Sequence, residues 1–153
     1  MAVQGMEGSA SVTVSAPQEK VWALVADVTR MGEWSPETLS AEWIDGATGP
    51  AVGARFKGKD KRGWMKWSTK CTVVTSEPGR EFTFVVGTPE KAATRWSYTF
   101  VPDPSGTKVT ESWESLRYGV SDKLFQPVKK TIAALNDGVQ RTLQNLKAKA
   151  EGG

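Results

Sequence analysis

The sequence contains no histidine, and its 153 residues include one cysteine, Cys71. Without histidine there is no Ser-His or Cys-His nucleophile pair, no imidazole base and no imidazole metal ligand. A lone cysteine excludes an intramolecular disulfide and a cysteine-based zinc site. No metal and no cofactor is expected, and any chemistry must run on Asp, Glu, Lys, Arg, Tyr, Ser, Thr or Cys71. Long apolar runs are also missing, none approaching the ~18 residues of a membrane span. The start, Met1-Ala2-Val3-Gln4-Gly5-Met6-Glu7, lacks the basic patch and apolar stretch of a secretory signal. A cytoplasmic protein without integral membrane association is the expectation. The net charge of +3 is too mild to point to nucleic acid, and no such partner is expected. What is abundant is tryptophan, seven residues against two tyrosines.

Residues 1–8 read as a flexible tail and 9–151 as a single domain. Ser9 to Ser15 alternates, with Ala10, Val12 and Val14 on one face, which predicts a half-buried strand. Ser15-Ala16-Pro17-Gln18 offers a Ser-x-x-Gln capping box with a proline suited to a first helical turn. Val21, Leu24, Val25 and Val28 then follow the spacing of a short amphipathic helix. A second short helix over 29–33 should stop at Trp34-Ser35-Pro36, because a residue before proline avoids the helical region. From Leu39 to about Leu116 the period is two. Strands are predicted at 39–45, 53–59, 64–76, 80–87, 93–101 and 107–116, separated by Gly- and Pro-bearing turns. Such short connections imply an antiparallel meander. Val128, Ile132, Leu135, Val139, Leu143, Leu146 and Ala150 then form a stripe of helical period, one helix about 34 Å long. Pro127 suits its first turn, and Ser121-Asp122 suits the cap of a separate short piece. The class is α+β, a curved seven-stranded sheet wrapped around one long helix. A sheet that bends away from a straight helix leaves space between them.

This order of elements, over residues 9–150, resembles the START-like, or SRPBCC, helix-grip superfamily. Ala16-Pro17-Gln18-Glu19-Lys20-Val21-Trp22 resembles its first strand-to-helix junction, and Met31-Gly32-Glu33-Trp34-Ser35-Pro36-Glu37 its second helix. Gly53-Ala54-Arg55-Phe56-Lys57-Gly58, Pro78-Gly79-Arg80-Glu81-Phe82-Thr83-Phe84 and Thr94-Arg95-Trp96-Ser97-Tyr98-Thr99-Phe100 resemble the polyketide cyclase/dehydrase and lipid transport branch. The resemblance implies a cavity for a polyketide-like, aromatic or lipidic ligand. It does not imply a reaction, since fold and family leave chemistry open. Cyclisation or dehydration, a non-catalytic carrier or sensor, and a protein-interaction module all remain compatible with it.

Strand phase sorts the side chains. Phe56, Met65, Trp67, Cys71, Val73, Phe82, Phe84, Val86, Trp96, Tyr98, Phe100, Val109 and Trp113 share the inward face. The ring-rich set Trp34, Trp43, Phe56, Trp67, Cys71, Phe84, Trp96, Phe100 and Trp113, with Ile132 and Leu135 from the helix, is the expected ligand-binding surface. Cys71 reads as a buried thiol without an activating cation. In the last hairpin, setting Val101 opposite Lys108 places Phe100 against Val109, Trp96 against Trp113 and, outward, Arg95 against Glu114. The same register sets Glu111, a carboxylate on an apolar face, directly opposite Tyr98. These two are the candidate catalytic residues. The glycine-rich stretch Gly46–Gly53 lacks the Lys-Ser/Thr of a phosphate loop and reads as a turn at the cavity rim. The segment around Asp60 carries Lys57, Lys59, Lys61, Arg62, Lys66 and Lys70, with Trp64 and Trp67 among them. A solvated strand edge accounts for that charge, while stacking on nucleic acid, contact with an anionic membrane or a protein-interaction surface are the alternatives.

Overall fold

The computed structural model of the chain describes residues 7–116 and 125–152, the side chains of 125–132 excepted. The period-two segments form one antiparallel sheet of seven strands. These are β1 (Glu7–Val14), β2 (Thr38–Ile44), β3 (Arg55–Arg62), β4 (Met65–Glu77), β5 (Glu81–Val86), β6 (Thr94–Asp103) and β7 (Gly106–Ser115). Their spatial order is β1-β7-β6-β5-β4-β3-β2. Strands β2 to β7 therefore make a meander, and β1 returns to pair with β7. Helix α1 (Gln18–Ala26) and a 3-10 helix (Val28–Glu33) lie between β1 and β2, and the long α2 (Phe125–Gly152) comes last. The helix-grip expectation holds.

Local departures from the sequence reading have simple causes. The Ser15 capping box does not form. Pro17 is itself the N-cap residue, without a side-chain cap bond. Gln18 instead donates to the carbonyls of Gly79 and Phe100 at 3.1 and 3.3 Å, and the Ser15 amide that the box would have capped is donated to Glu151. Glu7 and Gly8, expected in the tail, pair with Glu114 and Trp113 as the start of β1. At Gly8 a Cβ would collide with Asn136 Oδ1 and Trp113 Nε1, so only glycine lets α2 approach β1 here. The Ser121-Asp122 cap and the side chains of Val128 and Ile132 fall outside the described residues.

The apolar stripe of α2 lands on the sheet. Val139, Leu143, Leu146 and Ala150 are all buried, joining a cluster with Val14, Val21, Val25, Phe82, Phe100 and Val109. Burying Leu143 and Leu146 fully contributes about 2 kcal/mol each. Polar ties fix the end of the helix. Asn145 donates to the Trp34 carbonyl at 2.9 Å, Lys149 pairs with Glu33 at 2.8 Å, and Glu151 accepts from the Ser15 amide at 2.8 Å. The β6–β7 register is the one that charge and apolar pairing predict, with Tyr98 opposite Glu111 and Trp96 opposite Trp113.

The outer strands of the sheet are β1 and β2, so the lysines of β3 lie between two paired strands. Pairing of β4 with β5 begins only at Cys71, so residues 65–69 of β4 run past β5 with one side unpaired. The hairpin therefore projects past β5 as a ribbon, flanked by β2 as far as Asp60 and two-stranded only at its tip.

Candidate functional site

A cavity of about 280 Å³ lies between the sheet and α2. Phe56, Gly58, Asp60 and Arg62 of β3 line it, with Trp67, Thr69 and Cys71 of β4, Phe84 and Val86 of β5, Thr94, Trp96 and Tyr98 of β6, and Glu111 of β7. Leu135, Gly138, Val139 and Thr142 of α2 form the opposite wall, and Met31, Ser35, Pro36, Glu37 and Thr38 close one side. The size suits a compact ligand, near the lower end for small-molecule sites.

The cavity occupies one end of the inward face. Along each strand the lining gives way to solid core: Phe84 to Phe82, Cys71 to Val73, Tyr98 to Phe100, Glu111 to Val109. Of the residues picked from sequence, Phe56, Trp67, Cys71, Phe84, Trp96, Tyr98, Glu111 and Leu135 line the cavity. Trp34, Trp43, Phe100 and Trp113 do not. Trp34 is buried beneath the end of α2, its carbonyl held by Asn145. Trp43 stands one layer back, packed edge-on against Phe56 at 5.8 Å between centroids. Phe100 sits where α1 covers β6, and Trp113 is buried with its Nε1–H donated to Asn136 Oδ1 at 3.0 Å. The Ile132 side chain is outside the described residues. The glycine-rich stretch is not at the cavity rim either, since none of Gly46–Gly53 lines it.

Glu111 is 3% exposed. Its Oε2 accepts a 2.7 Å hydrogen bond from the Tyr98 hydroxyl, while its Oε1, buried in the cavity wall, has no partner among the described residues. Burial pushes its pKa up to about 8, with the Tyr98 bond offsetting part of the rise. The carboxyl is thus mostly protonated at neutral pH. Burial and the adjoining Glu111 also raise the Tyr98 hydroxyl well above its ordinary value, so it stays a donor.

A second carboxyl, Asp60, faces the cavity near its polar end. Thr38 Oγ1 lies 3.4 Å from Asp60 Oδ1, and burial holds this acid above its ordinary pKa. The nearby Arg62 spends its guanidinium on Glu37 instead, at 2.5 and 3.1 Å. The sequence reading treats Asp60 as the lone acid of a basic turn. Yet it is in phase with Phe56 and Gly58, and that phase is enough to place it inward. No pattern marks Met31, Ser35, Glu37, Thr38 or Thr142, which come from loop, helix and strand-end positions that only the packing brings to the site.

Cys71 is buried and its pKa is pushed up to about 12 by burial. It should react with a thiol-specific reagent about a thousandfold more slowly in the native protein than in urea, since the thiolate is that much rarer. Equal rates in the two states would mean the site opens readily. Among the described residues no cluster of three or more Cys, Asp or Glu could hold a metal, and no helix is long and apolar enough to cross a membrane.

Comparison with known proteins agrees with this architecture. The chain resembles the solution structure of a Polyketide_cyc-like protein, Cgl2372, from Corynebacterium glutamicum: 33% identity over 95% of this chain and 91% of that one, TM-score 0.69. It shares its fold with the protein TTHA0849 from Thermus thermophilus, at 16% identity, TM-score 0.72, covering 94% of this chain and 96% of that one. It also shares it with the di-domain ARO/CYC StfQ from the steffimycin biosynthetic pathway, at 13% identity and TM-score 0.76. That match covers 96% of this chain and 51% of the di-domain protein. No curated protein sequence matches. The profile of one family, described as polyketide cyclase/dehydrase and lipid transport, matches residues 6–151. Nearly the whole chain, with its sheet, cavity and long helix, thus belongs to the polyketide cyclase/dehydrase and lipid transport family.

Proposed function

We propose that the cavity binds a hydrophobic, carbonyl-bearing small molecule of the polyketide or lipid class, and that neutral Glu111 donates a hydrogen bond from Oε1 to the ligand's carbonyl. The observation that carries this reading is the divided carboxyl: Oε2 is taken by Tyr98, and Oε1 is buried in the cavity wall without a partner among the described residues. A buried polar atom left unpaired costs about 1–3 kcal/mol, which a ligand acceptor would recover. Phe56, Phe84 and Trp96 offer ring faces and edges to an aromatic or conjugated ligand. Tyr98 acts through Glu111, fixing the plane of the carboxyl.

With such a ligand the arrangement suits acid-assisted cyclisation. As an enol carbon bonds to the ligand's carbonyl carbon, negative charge grows on the carbonyl oxygen. Glu111 gives that oxygen its proton, the enol hydroxyl releases its own to solvent as it becomes a carbonyl, and solvent reprotonates Glu111. A second proton from Glu111 lets the resulting hydroxyl leave as water, and a proton leaves the adjacent carbon to complete a dehydration. Asp60 is the other cavity carboxyl, available to accept that proton. Positioned acid catalysis of this kind contributes about 10²–10⁴-fold. A carrier would use the same contact only to orient its ligand.

Native mass spectrometry of the purified protein, followed by extraction, identifies what co-purifies. With that compound or its open-chain precursor, Glu111→Gln should lower turnover by about a hundredfold or more while affinity stays within a few-fold. Binding without turnover in either protein selects the carrier. Unchanged affinity and turnover in Glu111→Leu would remove Glu111 from any role in the pocket.

A further inference from the structure

We infer that the projecting β3–β4 hairpin docks the protein on an anionic lipid bilayer, Trp64 and Met65 entering the interface while the outward lysines lie over the headgroups. The inference concerns a surface, and it does not depend on what the cavity holds.

The turn puts the indole where it must meet something apolar. Arg62 pairs with Met65, so Gly63 and Trp64 make a two-residue hairpin turn, with Gly63 at φ +61°, a conformation that glycine alone adopts freely. A turn this short leaves Trp64 nothing to fold back on, and it is 90% exposed. Met65 beside it is 53% exposed. An indole and a thioether at the tip of a ribbon are poor choices for water and good ones for the bilayer interface, where tryptophan concentrates.

The outward face behind the tip is charged at a cost to the fold. Lys57 lies directly opposite Lys70, and Lys61 directly opposite Lys66, with Lys59 between them. Like charges directly opposite across a strand pair repel and destabilise it. Among the described residues, none of these five lysines forms an ion pair. Of the nearby acids, Glu37 is held by Arg62, Asp60 faces the cavity, and Glu42, opposite Lys57 on β2, makes no salt bridge. The ribbon therefore presents positive charge that the protein leaves uncompensated, and an anionic headgroup surface is its complement.

The layout favours a bilayer over nucleic acid. Stacking on bases needs rings interleaved with cations on one face. Here Trp67 turns into the cavity wall and Trp64 stands beyond the lysine rows, at the end of the ribbon. A surface met end-on by the tip and sidelong by the lysines fits both features. Because Arg62 and Trp67 belong to both hairpin and cavity wall, docking would bring the polar end of the cavity to the headgroups.

Co-sedimentation with phosphatidylcholine vesicles, with and without about 30% phosphatidylglycerol, tests this. Binding to the anionic vesicles should exceed that to neutral ones by about tenfold at ~0.1 M salt and vanish near 0.5 M. Trp64→Ala should weaken it by about tenfold, and the difference between wild-type and variant emission should shift to the blue on adding vesicles. Lys61→Glu with Lys70→Glu should abolish binding while the melting temperature holds or rises, because the new carboxylates face Lys66 and Lys57 across the ribbon. Equal binding to neutral and anionic vesicles, binding indifferent to Trp64→Ala, or lysine-dependent retention of single-stranded DNA without vesicle binding would each overturn the inference.

Discussion

Leu143→Asp is expected to unfold the protein, or to lower its stability by at least about 4 kcal/mol. Leu143 is fully buried on the stripe that α2 lays against the sheet, in a cluster with Val14, Phe82, Phe100 and Val109. The substitution removes a side chain worth about 2 kcal/mol of burial and puts a carboxylate into an apolar cluster. Gln144→Asp supplies the control. It adds the same residue one position along the same helix, on the exposed side, and should change stability by less than about 0.5 kcal/mol. Urea unfolding of the two variants separates docking from helix propensity, since propensity falls similarly in both. If Leu143→Asp melts with wild type, α2 is not the clamp that closes this sheet.

Stability should fall as pH rises from about 5 to about 9, and Glu111→Gln should remove most of that slope. The sign follows from the direction of the shift. Burial raises the Glu111 pKa from 4.5 in the unfolded chain to about 8 in the folded one. Between those values the folded state holds a proton that the unfolded state has released, so raising the pH favours unfolding. The contribution is whole below the unfolded pKa and is lost as pH passes through the folded one. Its size is on the order of 4 kcal/mol across the window. Of the other shifted carboxyls, Glu33, Asp103 and Glu151 are lowered and titrate below this window, while Asp60, raised by burial, adds a slope of the same sign that Glu111→Gln leaves in place. Glu111→Gln keeps an acceptor for Tyr98 and cannot ionise. Near pH 5 it should lie within about 1 kcal/mol of wild type, and near pH 9 it should be the more stable of the two. A wild-type protein with a flat profile over this range would place the Glu111 carboxylate in contact with water.

The polar end of the cavity and the basic hairpin are one piece of structure. On β3, Asp60 and Arg62 turn inward while Lys59 and Lys61 turn outward, so a single strand carries both the polar lining and the lysine face.

Local chemistry carried most of the architecture. Period-two alternation separated by Gly and Pro turns specifies a meander, and the stripe from Leu135 to Ala150 specifies one buried face of a helix, because both patterns repeat the geometry of the element itself. The Tyr98–Glu111 pairing was legible too, since opposite charges and matched apolar partners leave the β6–β7 hairpin one good register. Phase also fixes the inward position of Asp60, two residues on from Gly58 and four from Phe56.

Phase assigns a face but not a distance along it. Phe100 and Trp113 point to the same side as Tyr98, yet α1 covers the first and Asn136 of α2 the second, while Tyr98 opens on the cavity. Which part of the inward face is core and which is cavity depends on where α1 and α2 come to rest. That resting place is set by long-range contacts such as Asn145 with Trp34 and Lys149 with Glu33. The same holds for the ribbon. Its charge and its tryptophan stand in the sequence, but its projection beyond β5 follows from the staggered ends of β4 and β5. Element type and facing are local properties of this sequence. The hollow, and what surrounds Glu111, exist only once elements distant in sequence have packed.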